Sequence, residues 1–191
     1  MTTIEASSLR ECLGRFATGV TVVTYWADGA PRGATVNAFS SISLDPPLIL
    51  VSLSRKAKAA QYLSEGRGFC VNVLSSSQVD LALNFAGRPR HSPITWVEGS
   101  HAPRLAESHA WLECTPWQIY DGGDHLLHLG EVQDLSFDGS EPLLFYSGDF
   151  HNRGDELDEH GRVRRPAARS VTPLQETTFR QLGEEFAAGW L

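Results

Sequence analysis

Apolar and polar positions along these 191 residues change period several times, and each change marks an element. Leu9, Cys12, Leu13 and Phe16 recur at helical spacing around Ser8-x-x-Glu11, whose side chains can each satisfy a backbone donor of the other. The pattern therefore predicts a short, boxed N-terminal helix. Residues 20–25 are a β-branched run, Asp28-Gly29 suits the positive φ angles of a tight turn, and residues 32–38 return antiparallel, giving the clearest hairpin in the chain. Pro46-Pro47 cannot continue a central ladder, yet residues 48–53 are apolar and strand-like, so the prolines mark the entry to a new strand. Residues 69–74 form another. Between these two strands, residues 56–63 are rich in helix formers, and residues 77–86 form a second helical stretch that stops at Gly87, a natural left-handed cap.

Residues 88–109, with three prolines, read as a long surface excursion within one domain. Strands resume at 111–120, 126–135 and 143–147, a successive antiparallel set joined through Gly122-Gly123 and Asp138-Gly139. Six or more strands with few helices make the fold mainly β, most economically a closed or partly closed antiparallel barrel. After His151 the charged run Asp155, Glu156, Asp158, Glu159 favours a solvated segment. Phe179, Leu182, Phe186 and Trp190 then recover a helical stripe, too apolar for water and expected to dock on its own barrel or on a partner subunit. The chain divides into a domain over 1–151 and a charged extension over 152–191.

Composition narrows the function. At 41% hydrophobic and 20% charged residues, one globular core is expected. The net charge of -7, with basic residues scattered apart from Arg162, Arg164 and Arg165, excludes an electrostatic footprint for nucleic acid. Cys12, Cys70 and Cys114 are odd in number and widely spaced, so neither a disulfide framework nor a thiolate zinc site is expected. Residues 1–10 carry no basic segment leading into an apolar run, and no stretch reaches the roughly 20 apolar residues that span a bilayer. A cytoplasmic protein without a membrane role is the expectation. No GxGxxG follows a strand, which argues against a Rossmann site.

Four segments hold residues suited to chemistry. In 33–41, small side chains let a flat ligand approach backbone donors and acceptors, although they equally suit a strand with hydroxyls on its wet face. Ser52-x-Ser54-Arg55-Lys56-Ala57-Lys58 gathers hydroxyls, cations and the free amides of a helix start, fitting a phosphate or a solvated basic turn. His125 and His128, with Asp121 and Asp124, suggest a metal, but i and i+3 in a strand point to opposite faces, so none is expected. His125 at a strand mouth suits contact with a ligand or a capped surface position. In Phe145-Tyr146-Ser147-Gly148-Asp149-Phe150-His151 a glycine bend lies between aromatics that can cover a planar ring or fill the core.

The four segments share one ordering with a known family. Through Arg15-Phe16-Ala17-Thr18-Gly19, Thr35-Val36-Asn37-Ala38-Phe39-Ser40-Ser41-Ile42, Pro46-Pro47-Leu48, Val51-Ser52-Leu53, Asn84-Phe85-Ala86-Gly87, Gly123-Asp124-His125, Gly130-Glu131-Val132 and Pro142-Leu143-Leu144-Phe145-Tyr146-Ser147-Gly148, the chain resembles the short-chain flavin reductases. These are the reductase components that accompany 4-hydroxyphenylacetate and phenol hydroxylases and similar flavin-dependent monooxygenases. The resemblance covers about 15–151.

It implies a split β-barrel of Greek-key, FMN-binding type with short flanking helices, working as a homodimer with one FAD or FMN near the subunit interface in each half. By the resemblance, Thr35, Val36, Asn37, Ala38, Phe39, Ser41 and Ile42 line the isoalloxazine and ribityl chain. Ser52, Ser54, Arg55, Lys56, Ala57, Lys58 and Tyr62 hold the phosphates, and Arg88 lies on the adenosine side. His125 is the catalytic candidate against the nicotinamide, with Gly148, Asp149, Phe150 and His151 holding the rest of the dinucleotide. An acid at position 149 favours NADH over NADPH. The implied reaction carries a hydride from nicotinamide C4 to flavin N5 and delivers reduced flavin to a separate monooxygenase or halogenase, with the protein supplying position and electrostatics. Two alternatives are a flavoprotein oxidase of the pyridoxamine-phosphate-oxidase type and a noncatalytic flavin-binding protein.

Overall fold

A β-branched run with no polar alternation has to be covered on both sides, and residues 20–25 are. In the computed structural model, which describes residues 4–157 together with 163 and 164, this run separates two cores. Helix α1 (Ala6–Leu13) leads to β1 (Thr18–Gly19), β2 (Thr21–Ala27), β3 (Ala30–Val36), β4 (Phe39–Leu44) and β5 (Pro47–Ser54). Helix α2 (Lys58–Ser64), β6 (Phe69–Val73), a single 3-10 turn (Ser76–Gln78) and α3 (Val79–Phe85) follow. The remaining strands are β7 (Trp96–Val97), β8 (Arg104–Leu105), β9 (Ala110–Gly122), β10 (His125–Phe137), β11 (Leu143–Tyr146), β12 (Asp149–Asn152), β13 (Glu156–Leu157) and β14 (Val163–Arg164).

The main sheet is antiparallel throughout, in the order β3-β2-β6-β9-β10-β5-β4. It curls, because the Ser52 N–H donates to the Ala38 carbonyl at 2.9 Å, so the chain just past β3 meets β5 from the other side of the sheet. Its inner face gathers Val23, Val36, Val51, Leu53, Phe69 and Val71, with Ala59, Ala60 and Leu63 of α2 packed among them. On the other side of β2, Val20, Val22, Leu74, Ala82, Leu105 and Leu143 form the second core. The hairpin forms as expected, with Asp28 and Gly29 at φ 53° and 73°.

Several expectations are corrected. Helix α1 begins at Ala6 after Glu5 with no side-chain capping bond, so the Ser8–Glu11 pair lies inside the helix rather than at its start. The strand expected over 32–38 ends at Val36. Phe39 N–H turns back to the Asn37 carbonyl at 2.9 Å, and the chain crosses to the opposite sheet edge as β4, paired with β5. The 143–147 segment does not succeed β10 in the main sheet. Val20 N–H and Leu143 N–H bond the Leu143 and Leu74 carbonyls at 3.2 and 2.9 Å, which draws β11 into a separate sheet, β1-β11-β12. The expected apolar C-terminal stripe from Phe179 to Trp190 lies outside the described residues.

The 88–109 excursion is tied down by buried polar groups rather than by apolar packing alone. The Asn72 side-chain Oδ1 accepts the Leu105 N–H at 2.8 Å while its Nδ2 donates to the Val22 carbonyl at 2.9 Å. The Glu113 carboxylate accepts the N–H groups of His101 and of Ala102, the latter at 3.0 Å. Asn72→Ala strands the Leu105 donor without water, so urea unfolding should show a loss of about 1–3 kcal/mol.

Candidate functional site

A cleft of about 550 Å³ opens between β3, the start of α2 and the end of α3. One wall is the segment 33–36, and the second is Ala57, Lys58, Ala59 and Tyr62. Phe85, Ala86 and Gly87 close the third side, and Tyr25, Asp28 and Arg32 come from the hairpin. A side chain at Gly33 would sit 2.9 Å from the Phe85 ring, so only glycine lets α3 approach this closely. The Tyr25 and Tyr62 rings stack at 5.7 Å, and the Tyr62 hydroxyl donates to the Asp28 carboxylate at 2.6 Å. That bond raises the Tyr62 phenol above its ordinary value, and burial raises Tyr25, so both hydroxyls keep their protons at neutral pH. Arg32 and Lys58 give the lining two cations against one carboxylate.

Of the residues assigned by resemblance to the flavin, Thr35, Val36, Ala57, Lys58 and Tyr62 line this cleft. Thr35 spends its hydroxyl on the Ala82 carbonyl at 2.6 Å, fastening α3, and Val36 is fully buried. Asn37 and Ala38 form the corner between β3 and β4, where Asn37 Oδ1 is buried without a hydrogen-bond partner. Phe39 packs on the inner core, whereas Ser41 and Ile42 are exposed on the edge strand. Arg88 follows α3 and bonds the Leu83 carbonyl through its N–H at 3.0 Å.

A second group gathers where β5 ends and β10 begins. His125 pairs in register with Ser54 and Leu127 with Ser52, which puts His125 and both serines on one face. His128 lies opposite Val51, on the inner face, so the two imidazoles diverge. The His125 Nδ1 is 2.7 Å from an Asp124 carboxylate oxygen, and this bond holds Asp124 below the usual carboxylate range. Arg55, assigned to phosphate, is engaged with the β9–β10 turn: Nε donates to the Gly123 carbonyl at 2.6 Å and the guanidinium pairs with Asp121. The Gly123 N–H and then Arg55 hold Asp121 low as well. The Lys56 N–H lies 3.4 Å from the Ser54 hydroxyl.

Gly148, Asp149, Phe150 and His151 belong to the β11–β12 hairpin, whose turn has φ 50° at Ser147 and 94° at Gly148. Phe150 meets Phe145 edge-on at 5.7 Å against the second core, and none of the four lines the cleft. Sequence reasoning missed Tyr25, Asp28 and Arg32 as lining residues. A two-residue Asp28-Gly29 turn fixes Arg32 opposite Tyr25, which was the available signal.

Buried titratable groups behave as structure. Burial pushes the Cys114 thiol up to about 12 and raises Cys70 further, leaving both unreactive at neutral pH. Among the described residues, no cluster of three His, Cys, Asp or Glu side chains is placed to hold a metal. His128 is 2% exposed, its Nε2 has no partner among the described residues, and burial lowers it from 6.5 to about 4. An unfolded chain therefore takes up this proton first, so stability is full above about pH 6.5 and declines toward pH 4, by at most about 1.4 kcal/mol per unit. Urea midpoints across that window should lose this slope in His128→Leu.

Comparison with known proteins gives the geometry its family. The family model described as a flavin reductase like domain matches residues 13–154. An NADH-dependent flavin reductase of Rhodococcus is 40% identical over 150 residues, 75% of this chain and 84% of that protein. An NADH-dependent FAD reductase of Streptomyces globisporus is 39% identical over 160 residues, covering 79% and 87%. Among solved structures, the flavin reductase PheA2 superposes with a TM-score of 0.76 at 38% identity, over 79% of this chain and 99% of its own. The NADH:FAD oxidoreductase SgcE6 of Streptomyces globisporus, also solved in complex with NAD and FAD fragments, gives 0.75 at 37%, over 83% and 95%. With the family model matching 13–154 and a relative 40% identical over three quarters of the chain, the chain belongs to the flavin reductase-like family.

Proposed function

We propose that the protein is an NAD(P)H:flavin oxidoreductase, with NADH as the preferred donor, that supplies reduced flavin to a separate monooxygenase or halogenase. The observation that carries the reading is the family match across 13–154 together with a cleft whose residues fit a flavin. The fit rests on two features. In the corner just past the cleft's β3 wall, Asn37 Oδ1 is a buried acceptor with no partner among the described residues, the complement of an imide N–H on a flavin ring. Lys58 stands at the start of α2, where a phosphate gains both a cation and helix amides.

A bound flavin supplies the hydride-accepting ring. The chain's own residues do the rest: Asn37 orients the ring edge, Lys58 holds the phosphate end, Tyr62 walls it with a hydroxyl already given to Asp28, and His125 meets the nicotinamide. Room continues from Lys58 to Phe85, Ala86 and Gly87, which favours FAD over FMN because only FAD extends past the first phosphate. The reading takes 1–151 as a split-barrel reductase unit and 152–191 as an extension, in the cytoplasm; no described helix is long and apolar enough to cross a membrane. It takes the working form as a homodimer, since Trp117, Tyr120, Leu135 and Phe137 of the β9–β10 ribbon and Leu44 of the edge strand are exposed apolar groups that a second copy would cover. Sedimentation mass checks that point. Steady-state NADH oxidation with FAD and FMN in turn, and with NADPH in place of NADH, tests the activity. No turnover above the protein-free rate would return the chain to a noncatalytic flavin binder.

A further inference from the structure

Adjacent residues of a strand point to opposite faces, so an aspartate rarely bonds the histidine that follows it. Asp124 does because it precedes β10, following Gly123 at φ 79°, and its carboxylate reaches His125 Nδ1 at 2.7 Å. The turn is held from outside. The Arg55 N–H donates to the Asp124 carbonyl at 3.0 Å, Arg55 Nε to the Gly123 carbonyl, and the Gly123 N–H to Asp121 at 2.9 Å. Asp124 itself is 93% exposed at its side chain while the His125 side chain is 10% exposed, so packing of Asp124 does not explain the contact.

A carboxylate offers only acceptor lone pairs, so the ring nitrogen facing it must carry a proton. In a neutral imidazole the other nitrogen is then an acceptor, and its natural partner is an N–H. We propose that Asp124 is a positioning residue: its carboxylate fixes the His125 proton on Nδ1, so that Nε2 accepts a hydrogen bond from the carboxamide N–H of the reduced nicotinamide. This rests on the reductase reading and adds how the site recognises the amide group of its hydride donor. The ring turned the other way would present a donor and would welcome a ketone as readily as an amide.

Two measurements decide it. Nitrogen-15 NMR of the histidines in the ligand-free protein should find His125 as the Nδ1–H tautomer, with Asp124→Ala releasing population to Nε2–H. The ratio of kcat/KM for NADH over reduced 3-acetylpyridine adenine dinucleotide, which replaces the amide by a methyl ketone, should fall about 10-fold in Asp124→Ala, mainly through the KM for NADH. Thermal melting should barely move, since the replaced side chain is exposed. An Nε2–H ring in the wild-type protein, or an unchanged ratio in the variant, overturns the proposal. If the variant does not fold, the wild-type spectrum alone decides. Absence of any NADH oxidation by the wild-type protein would instead defeat the reductase reading, and the NMR result would still stand or fall by itself.

Discussion

His125→Ala should slow flavin reduction by about 100-fold while the flavin dissociation constant stays within about twofold. The ring is largely buried, in register with Ser54 and tied through Nδ1 to Asp124, so it is held in one orientation before any ligand arrives. Hydride transfer depends steeply on the distance and angle between two stacked rings, and a misplacement of about 1 Å is enough for a loss of that size. Nothing in the reaction requires a nucleophile from the protein, so the variant should keep a residual rate set by flavin and nicotinamide meeting without guidance. Stopped-flow reduction at saturating flavin measures the rate, and fluorescence titration measures the affinity. An unchanged rate removes His125 from the mechanism.

Lys58→Ala should weaken flavin binding by about 30-fold, or about 2 kcal/mol, with a smaller effect on the reduction rate once flavin saturates. Lys58 lines the cleft at the first turn of α2, and Arg55, which shares its segment, is already committed to Asp121 and Gly123. Lys58 is therefore expected to carry most of the cationic contact to phosphate on this loop, and removing it should also flatten the salt dependence of binding. Isothermal titration at two ionic strengths provides the check. Equal affinity and equal salt dependence in variant and parent would move the phosphate elsewhere.

The sequence was most legible where local chemistry decides the backbone. Asp28-Gly29, the paired prolines at the entry to β5 and Gly87 after α3 each impose a conformation that needs no distant partner, and each stands where the pattern put it. The β3–β4 corner was not legible, because residues 33–41 hold no strong turn signal and only the distant pairing with β5, begun by the hydrogen bond from Ser52 to Ala38, shows that the chain has changed sheet edge. The same holds for β11, which leaves the main sheet through bonds to Val20 and Leu74 that no local pattern encodes. At the site, the resemblance named Lys58 and Tyr62, but not the stacking of Tyr25 on Tyr62 or the reach of Asp28. It assigned Arg55 to phosphate but gave no sign of the exposed ion pair, across 66 positions of sequence, that ties this residue to the His125 turn.

The most direct trial of the central claim is anaerobic single-turnover mixing of NADH with the protein loaded with FAD, following the flavin absorbance. The account predicts bleaching at a rate that saturates with NADH and far exceeds that of FAD and NADH alone. Bleaching no faster than in the protein-free control, with FAD demonstrably bound, would contradict it.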